Sequence, residues 1–164
     1  MLKTFLRCQI VLLAVMFQTL DASATGDRVI ETVSISADEA FEDIQPGILH
    51  FSGHFLMRSG DWQLESVRAT VHGKPDRPDE VYLEGSPARF LIQRHGDGRQ
   101  QTVEATAPKV EYQRSTNLLK LSGGAILMLD GEVIRSRVIE YNVRTDRYRA
   151  EGRNGVMIEV PPNN

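Results

Sequence analysis

Two histidines four residues apart, His50 and His54, are the closest this chain comes to a metal-binding pair. On a helix that spacing stacks both imidazoles on one face, within reach of one ion. Here the run Leu49-His50-Phe51-Ser52-Gly53-His54-Phe55 alternates apolar and polar residues, the period of a strand. On a strand the two rings stand roughly 13 Å apart, so they are read as solvated or edge histidines. His72 and His95 sit in segments read as loops. Asp38, Glu39, Glu42 and Asp43 form an acidic cluster suggestive of paired catalytic carboxylates or calcium, but the EF-hand spacing is missing and a first turn accounts for it. Serines and histidines occur without a G-x-S-x-G elbow, and Gly96-Asp97-Gly98 reads as a hairpin turn, not a phosphate loop. Arg135, Arg137, Arg144, Arg147, Arg149 and Arg153 are the one suggestive cationic group. They could meet phosphate groups, with a solvated strand face as the simpler reading. The chain is therefore expected to be no enzyme, with no catalytic residue, metal or cofactor.

The elements that carry these residues begin after an export signal. Lys3 and Arg7 form a positive start, residues 10–17 a short apolar run, and Ala22-Ser23-Ala24 a small-residue cleavage site. The run is well short of the ~20 residues a spanning helix needs. The expected arrangement is a cleaved signal peptide over 1–24 and one domain over 25–164. Cys8, the single cysteine, leaves with the signal, which excludes thiol catalysis and disulfides. Cleavage also takes Lys3, Arg7 and Asp21 from 19 basic and 22 acidic residues, leaving 17 against 21 and a net charge of −4. That balance is no nucleic-acid footprint.

From Val29 onward alternation dominates. Val33-Ser34-Ile35-Ser36-Ala37, Trp62-Gln63-Leu64-Glu65, Ala88-Arg89-Phe90, Val103-Glu104-Ala105-Thr106-Ala107 and Leu119-Lys120-Leu121 each put apolar residues on one strand face. Turn signals punctuate them at Pro46-Gly47, Ser59-Gly60-Asp61, 73–78, Gly96-Asp97-Gly98, Gly123-Gly124, Asp130-Gly131 and Gly152. The stretch 37–53 resembles 107–123 at an offset of 70 residues; Leu64 to Ser66 match Ile134 to Ser136, and Val71 falls opposite Tyr141. Beyond that the offset slips to 67, where Val81 to Gly85 resemble 148–152. The chain thus reads as two ~70-residue copies of one meander. Such a sheet keeps a free edge at each end, one near Val29 to Ala37 and one near 148–160.

Taken in order, Ile35-Ser36-Ala37-Asp38, Phe51-Ser52-Gly53-His54, Gly60-Asp61-Trp62-Gln63-Leu64, Gly85-Ser86-Pro87-Ala88-Arg89-Phe90, Glu111-Tyr112, Leu121-Ser122-Gly123-Gly124-Ala125 and Ile139-Glu140-Tyr141 resemble the LptA/OstA family over essentially the whole mature chain. Val67, where the family usually has an acid, and Ser59-Gly60, in place of Gln-Gly, depart from that pattern. The resemblance implies an all-β, open, twisted β-jelly-roll of many short antiparallel strands. It also implies a periplasmic lipopolysaccharide carrier that links an inner-membrane LptC-like protein to an outer-membrane LptD-like translocon through its β-edges and associates head to tail. Under it, Val33, Ile35, Leu49, Phe51, Phe55, Met57, Trp62, Leu64, Phe90, Ile92, Leu119, Leu121 and Leu127 line an apolar groove for lipid A acyl chains; by alternation alone they fill a core equally well. Val29, Val33, Ile35, Tyr148, Val156 and Ile158 are the expected edge-pairing residues. An exported adaptor that binds proteins through β-edges without lipid is the alternative. A jelly-roll hydrolase or sugar-binding enzyme lacks a catalytic constellation.

Overall fold

Among the described residues the alternating segments form ten antiparallel strands in one sheet: β1 (Ser34–Ser36), β2 (Glu39–Glu42), β3 (Ile48–Ser59), β4 (Trp62–Lys74), β5 (Arg77–Gly96), β6 (Arg99–Gln113), β7 (Leu118–Leu129), β8 (Glu132–Asn142), β9 (Arg147–Glu151) and β10 (Met157–Glu159). The computed structural model describes residues 32–96, 99–153 and 155–162. The signal segment, Val29 and the Asp97-Gly98 turn lie outside them. β3 to β8 follow one another as antiparallel neighbours; β1 and β2 both pair with β3, and β9 and β10 both pair with β8. The sheet is therefore open, with β1 and β2 forming one rim and β9 and β10 the other.

The strands β3 to β8 are 11 to 20 residues long, and each pairing shifts register partway along, as between Ser52 and Phe55, Glu84 and Ala88, or Ser122 and Ala125. An extra residue on one strand of a pair bends it. The bends stack into one crease, which folds the sheet into two limbs. The first limb holds β1, β10 and residues 55–59, 62–66, 88–96, 99–106, 125–129 and 132–136. The second holds β2, β9 and residues 48–52, 68–74, 77–84, 109–113, 118–122 and 138–142. Gly123-Gly124, expected as a turn, is instead this bend within β7, and Gly85-Ser86-Pro87, with a cis Ser86-Pro87 peptide, carries β5 across it. The single C-terminal strand expected over 148–160 is divided between β9 on one limb and β10 on the other.

The inner faces of the limbs pack on each other. Ala69, Ala88, Ala107 and Ala125 sit next to the crease beside the larger Phe55, Leu83 and Leu121, and Val71, Phe90, Leu119, Leu127 and Tyr141 fill the space farther out, all of them buried. Small and large residues alternate across the interior so that it stays densely packed.

The internal repeat is visible in the register. Met57 pairs with Leu64 and Leu127 with Ile134; Leu49 pairs with Val71 and Leu119 with Tyr141, each at an offset of 70 residues. The slip to 67 has a simple origin. His72 pairs with Glu80 across seven residues, but Asn142 pairs with Arg147 across four, so the second-copy hairpin is three residues shorter. The crease glycines correspond too: Gly53 at φ +70° has Asp38 where a side chain would stand, and Gly123 at φ +94° has Pro108, 70 residues after Asp38, at 3.2 Å from a notional Cβ.

Candidate functional site: an apolar trough and its two rims

Every residue assigned to the inner face from alternation lies in the core cluster or packs against it. They differ in access. Phe55, Met57, Leu119, Leu121 and Leu127 are at most 1% exposed, and Leu64, Phe90 and Ile92 are buried as well. Val33, Ile35, Leu49, Phe51 and Trp62 are half-buried. The interior is thus close-packed in the middle and accessible elsewhere, because inward residues near the rims and the mouth lack a neighbour on one side.

The mouth is the long opening opposite the crease, where strand ends and hairpins of the two limbs face each other. A cavity of about 380 Å³ opens there, floored by Trp62, Leu64, Val81, Phe90, Ile92 and Tyr112, with Arg77, Arg94, Arg114, Asp61 and Asp76 around it. Phe90 on one limb and Tyr112 on the other stack across it, with ring centroids 6.3 Å apart.

Arg94 joins the limbs across the mouth. From the end of β5 it donates to both carboxylate oxygens of Asp146 and to the Val143 carbonyl, in the hairpin between β8 and β9. The buried Tyr141 hydroxyl donates to the same Asp146. Burial, and then that hydrogen bond, push the Tyr141 phenol far above its ordinary range. Burial also acts to raise Asp146, but Tyr141 and Arg94 outweigh it and hold the carboxyl below its ordinary value.

At the N-terminal rim, the short β2 is fastened by its acids. His50 meets Asp43 at 2.9 Å and Thr70 at 3.2 Å, with Phe41 stacked on its ring, and His54 meets Asp38 at 2.8 Å. The two histidines therefore serve separate aspartates rather than one site. The acidic cluster anticipated as a turn is this edge strand and its flanks. At the opposite rim Ile158 lies across from the buried Ile134, so it continues the inner face. Val156, Ile158 and Val160 are 42%, 50% and 64% exposed, an apolar strip at the open end. Of the other expected edge residues, Ile35 pairs with Met57 and Tyr148 with Tyr141, while Val33 and Val156 lie just outside strands.

Residues 34–147 match the protein family described as LptA/(LptD N-terminal domain) LPS transport protein. The chain belongs to this family. In fold it is similar to LptH, the LptA-homologous periplasmic component of the lipopolysaccharide transport device of Pseudomonas aeruginosa. That likeness has a TM-score of 0.70 at 18% identity and covers 80% of this chain and 96% of LptH. No curated protein sequence matches the chain.

Within this LptA-like sheet, sequence reasoning found the inner face but not the groups that frame its mouth. Val81 and Tyr112 alternate correctly on the inner face and were detectable by parity. Arg94 and Asp146 were not, because 52 residues separate them and only the closure of the limbs brings them together.

Proposed function

We propose that this chain is a periplasmic lipopolysaccharide carrier that shelters acyl chains against the inner face of the folded sheet and passes the lipid along subunits joined edge to edge. The observation that carries this reading is the apolar inner face reaching the surface at the mouth, beside Trp62 and Phe90, and again at the C-terminal rim, beside Ile158. Each methylene removed from water is worth about 0.8 kcal/mol, so an acyl chain gains most where apolar wall is already accessible. Lipid enters between the limbs at the mouth, with the Arg94–Asp146 bridge parting, while sugars and phosphates stay in solvent.

The rims suit end-to-end pairing. β2 carries Glu39 and Glu42 beside Asp38 and Asp43, whereas β9 carries Arg147 and Arg149. A basic C-terminal edge meeting an acidic N-terminal one adds steering to main-chain pairing, and such heterologous contacts do not close. An LptC-like protein at one membrane and an LptD-like translocon at the other take the two terminal edges. Sedimentation at rising concentration is expected to show head-to-tail oligomers that weaken with salt; a monomer throughout contradicts this part.

Site-specific photo-crosslinking tests the carrier itself. Probes at Val33, Ile35 and Phe90 are expected to capture lipopolysaccharide, and one at the outward Arg89 is not. Adducts at Arg89 alone overturn it. An adaptor that binds proteins through its edges, without lipid, keeps edge pairing in Phe51→Glu protein that is still folded, whereas a carrier loses lipid.

A further inference from the structure

The repeat gives most features of the crease a counterpart, and at one place the two copies differ in chemistry. In the first copy, the outer side of the crease is lined by Val67, Arg68, Glu84, Ser86 and Lys109. Its charges satisfy one another: Glu84 receives Arg68 at 2.8 Å and Lys109 at 3.3 Å, and these bonds, Arg68 first, hold its carboxyl below the usual range. The Ser66 hydroxyl donates to the Arg68 carbonyl at 2.8 Å.

The second copy carries the same bend with different groups. Arg137 stands 70 residues after Val67, and Arg153 stands 67 after Ser86. A cavity of about 770 Å³ opens there, bounded by Arg135, Arg137 and Arg153 and by the main chain of Gly123, Gly124 and Gly152, and no acidic residue is among its lining. Arg135 holds Glu159 at 2.9 Å, but Arg137 and Arg153 have no ion-pair partner among the described residues. Ser136, the counterpart of Ser66, has its hydroxyl oxygen buried with no hydrogen-bond partner among the described residues. The second copy has thus gained two guanidinium groups with no ion-pair partner among the described residues, around one concavity walled by glycines, while Glu151, the counterpart of Glu84, pairs with Arg149 at 2.8 Å and lies outside the lining.

We propose that this second-copy crease binds the phosphate group of an anionic ligand. Guanidinium forks match phosphate oxygens in pairs, and glycines let a bulky anion approach the main chain closely. A phosphate monoester carries about −1.5 to −2 charges at neutral pH, enough to engage Arg137 and Arg153 while Arg135 keeps Glu159. The phosphate comes from a phosphorylated sugar headgroup or from the free ion. The site lies on the outer side of the sheet and does not require acyl chains in the trough, so it stands or falls apart from the carrier reading.

The test is amide NMR of the mature protein titrated with inorganic phosphate, then with bis-phosphorylated lipid A and with its dephosphorylated form in detergent micelles. Saturable shifts are expected at Gly123, Gly124 and Gly152. Arg137→Ala and Arg153→Ala are each expected to weaken binding about tenfold, and the double variant to abolish it. Arg68→Ala, in the matching first-copy crease, is expected to leave it intact. Response to the free ion identifies phosphate itself as sufficient, and response to phosphorylated lipid alone identifies the headgroup. Absence of saturable shifts with both, shifts that persist in the double variant while its melting curve is unchanged, or shifts centred on Arg144 and Arg147 overturn the proposal.

Discussion

The two copies of the meander share an interior and differ outside it. Phe51, Met57, Leu64 and Val71 in the first are answered by Leu121, Leu127, Ile134 and Tyr141 in the second, paired in the same register. On the outer side of the crease, the first copy presents the balanced trio Arg68, Glu84 and Lys109, and the second presents Arg135, Arg137 and Arg153. Close packing of two limbs constrains size and parity at every inward position, so the interior keeps its pattern through duplication. An outward side chain meets water, and a change of charge there costs little stability. Differences between the copies therefore mark where the chain has been free to acquire chemistry.

The largest test of that contrast lies inside. Leu119→Ala removes a side chain with no exposure and is expected to cost about 2–5 kcal/mol in urea denaturation. Its counterpart Leu49→Ala, half-buried toward the N-terminal rim, is expected to cost roughly half as much. Equal losses would break the distinction between a packed middle and an accessible end. Next come the crease glycines. Alanine at either position must adopt a left-handed conformation, for about 1–3 kcal/mol. Gly53→Ala is expected to lower the melting temperature more than Gly123→Ala, because its Cβ collides with Asp38 and disturbs the Asp38–His54 pair, whereas Gly123 faces Pro108 at 3.2 Å. The reverse order contradicts the account of the bend.

Smaller still, Arg68→Ala should cost no more than about 1 kcal/mol, and Arg137→Ala about nothing, since an exposed pair is weak and an unpaired arginine contributes no pair at all. The smallest effect is the pH dependence carried by Asp146, whose second-copy hairpin holds the Arg94 bridge. The carboxyl of Asp146 is lower in the folded state than its reference value of 3.8. Its contribution is thus fully present above the unfolded value and disappears as pH falls through the lowered one. Asp146→Asn is expected to flatten the acid limb of a stability profile below about pH 4, slightly, because Asp146 is partly exposed. A profile identical to the parent protein would remove the bridge from the account.

The sequence makes half of each strand legible and hides how the halves connect. Across Gly53-His54 and Gly123-Gly124 two unpaired residues intervene, so inward parity runs unbroken from Leu49 to Met57 and from Leu119 to Leu127. Across Val67, on the facing strand, one unpaired residue intervenes, and the inward set switches from Leu64 and Ser66 to Ala69 and Val71. An alternation that changes phase reads as two short strands with a break, which is how β4 and β6 look before the limbs are folded. The trough residues were legible because alternation reports facing. Their unequal burial was not, because it depends on distance from a rim, and neither was the Arg94–Asp146 bridge, which arises from tertiary closure.

Trp62 reports directly on the proposed entry of acyl chains through the mouth, because it lines the mouth cavity and is the single tryptophan of the chain. Lipopolysaccharide bearing brominated acyl chains is expected to quench Trp62 emission saturably, and the deacylated sugar headgroup to leave it unchanged. Unaltered emission at lipid concentrations where sedimentation shows the lipid bound would place the acyl chains elsewhere and contradict the account.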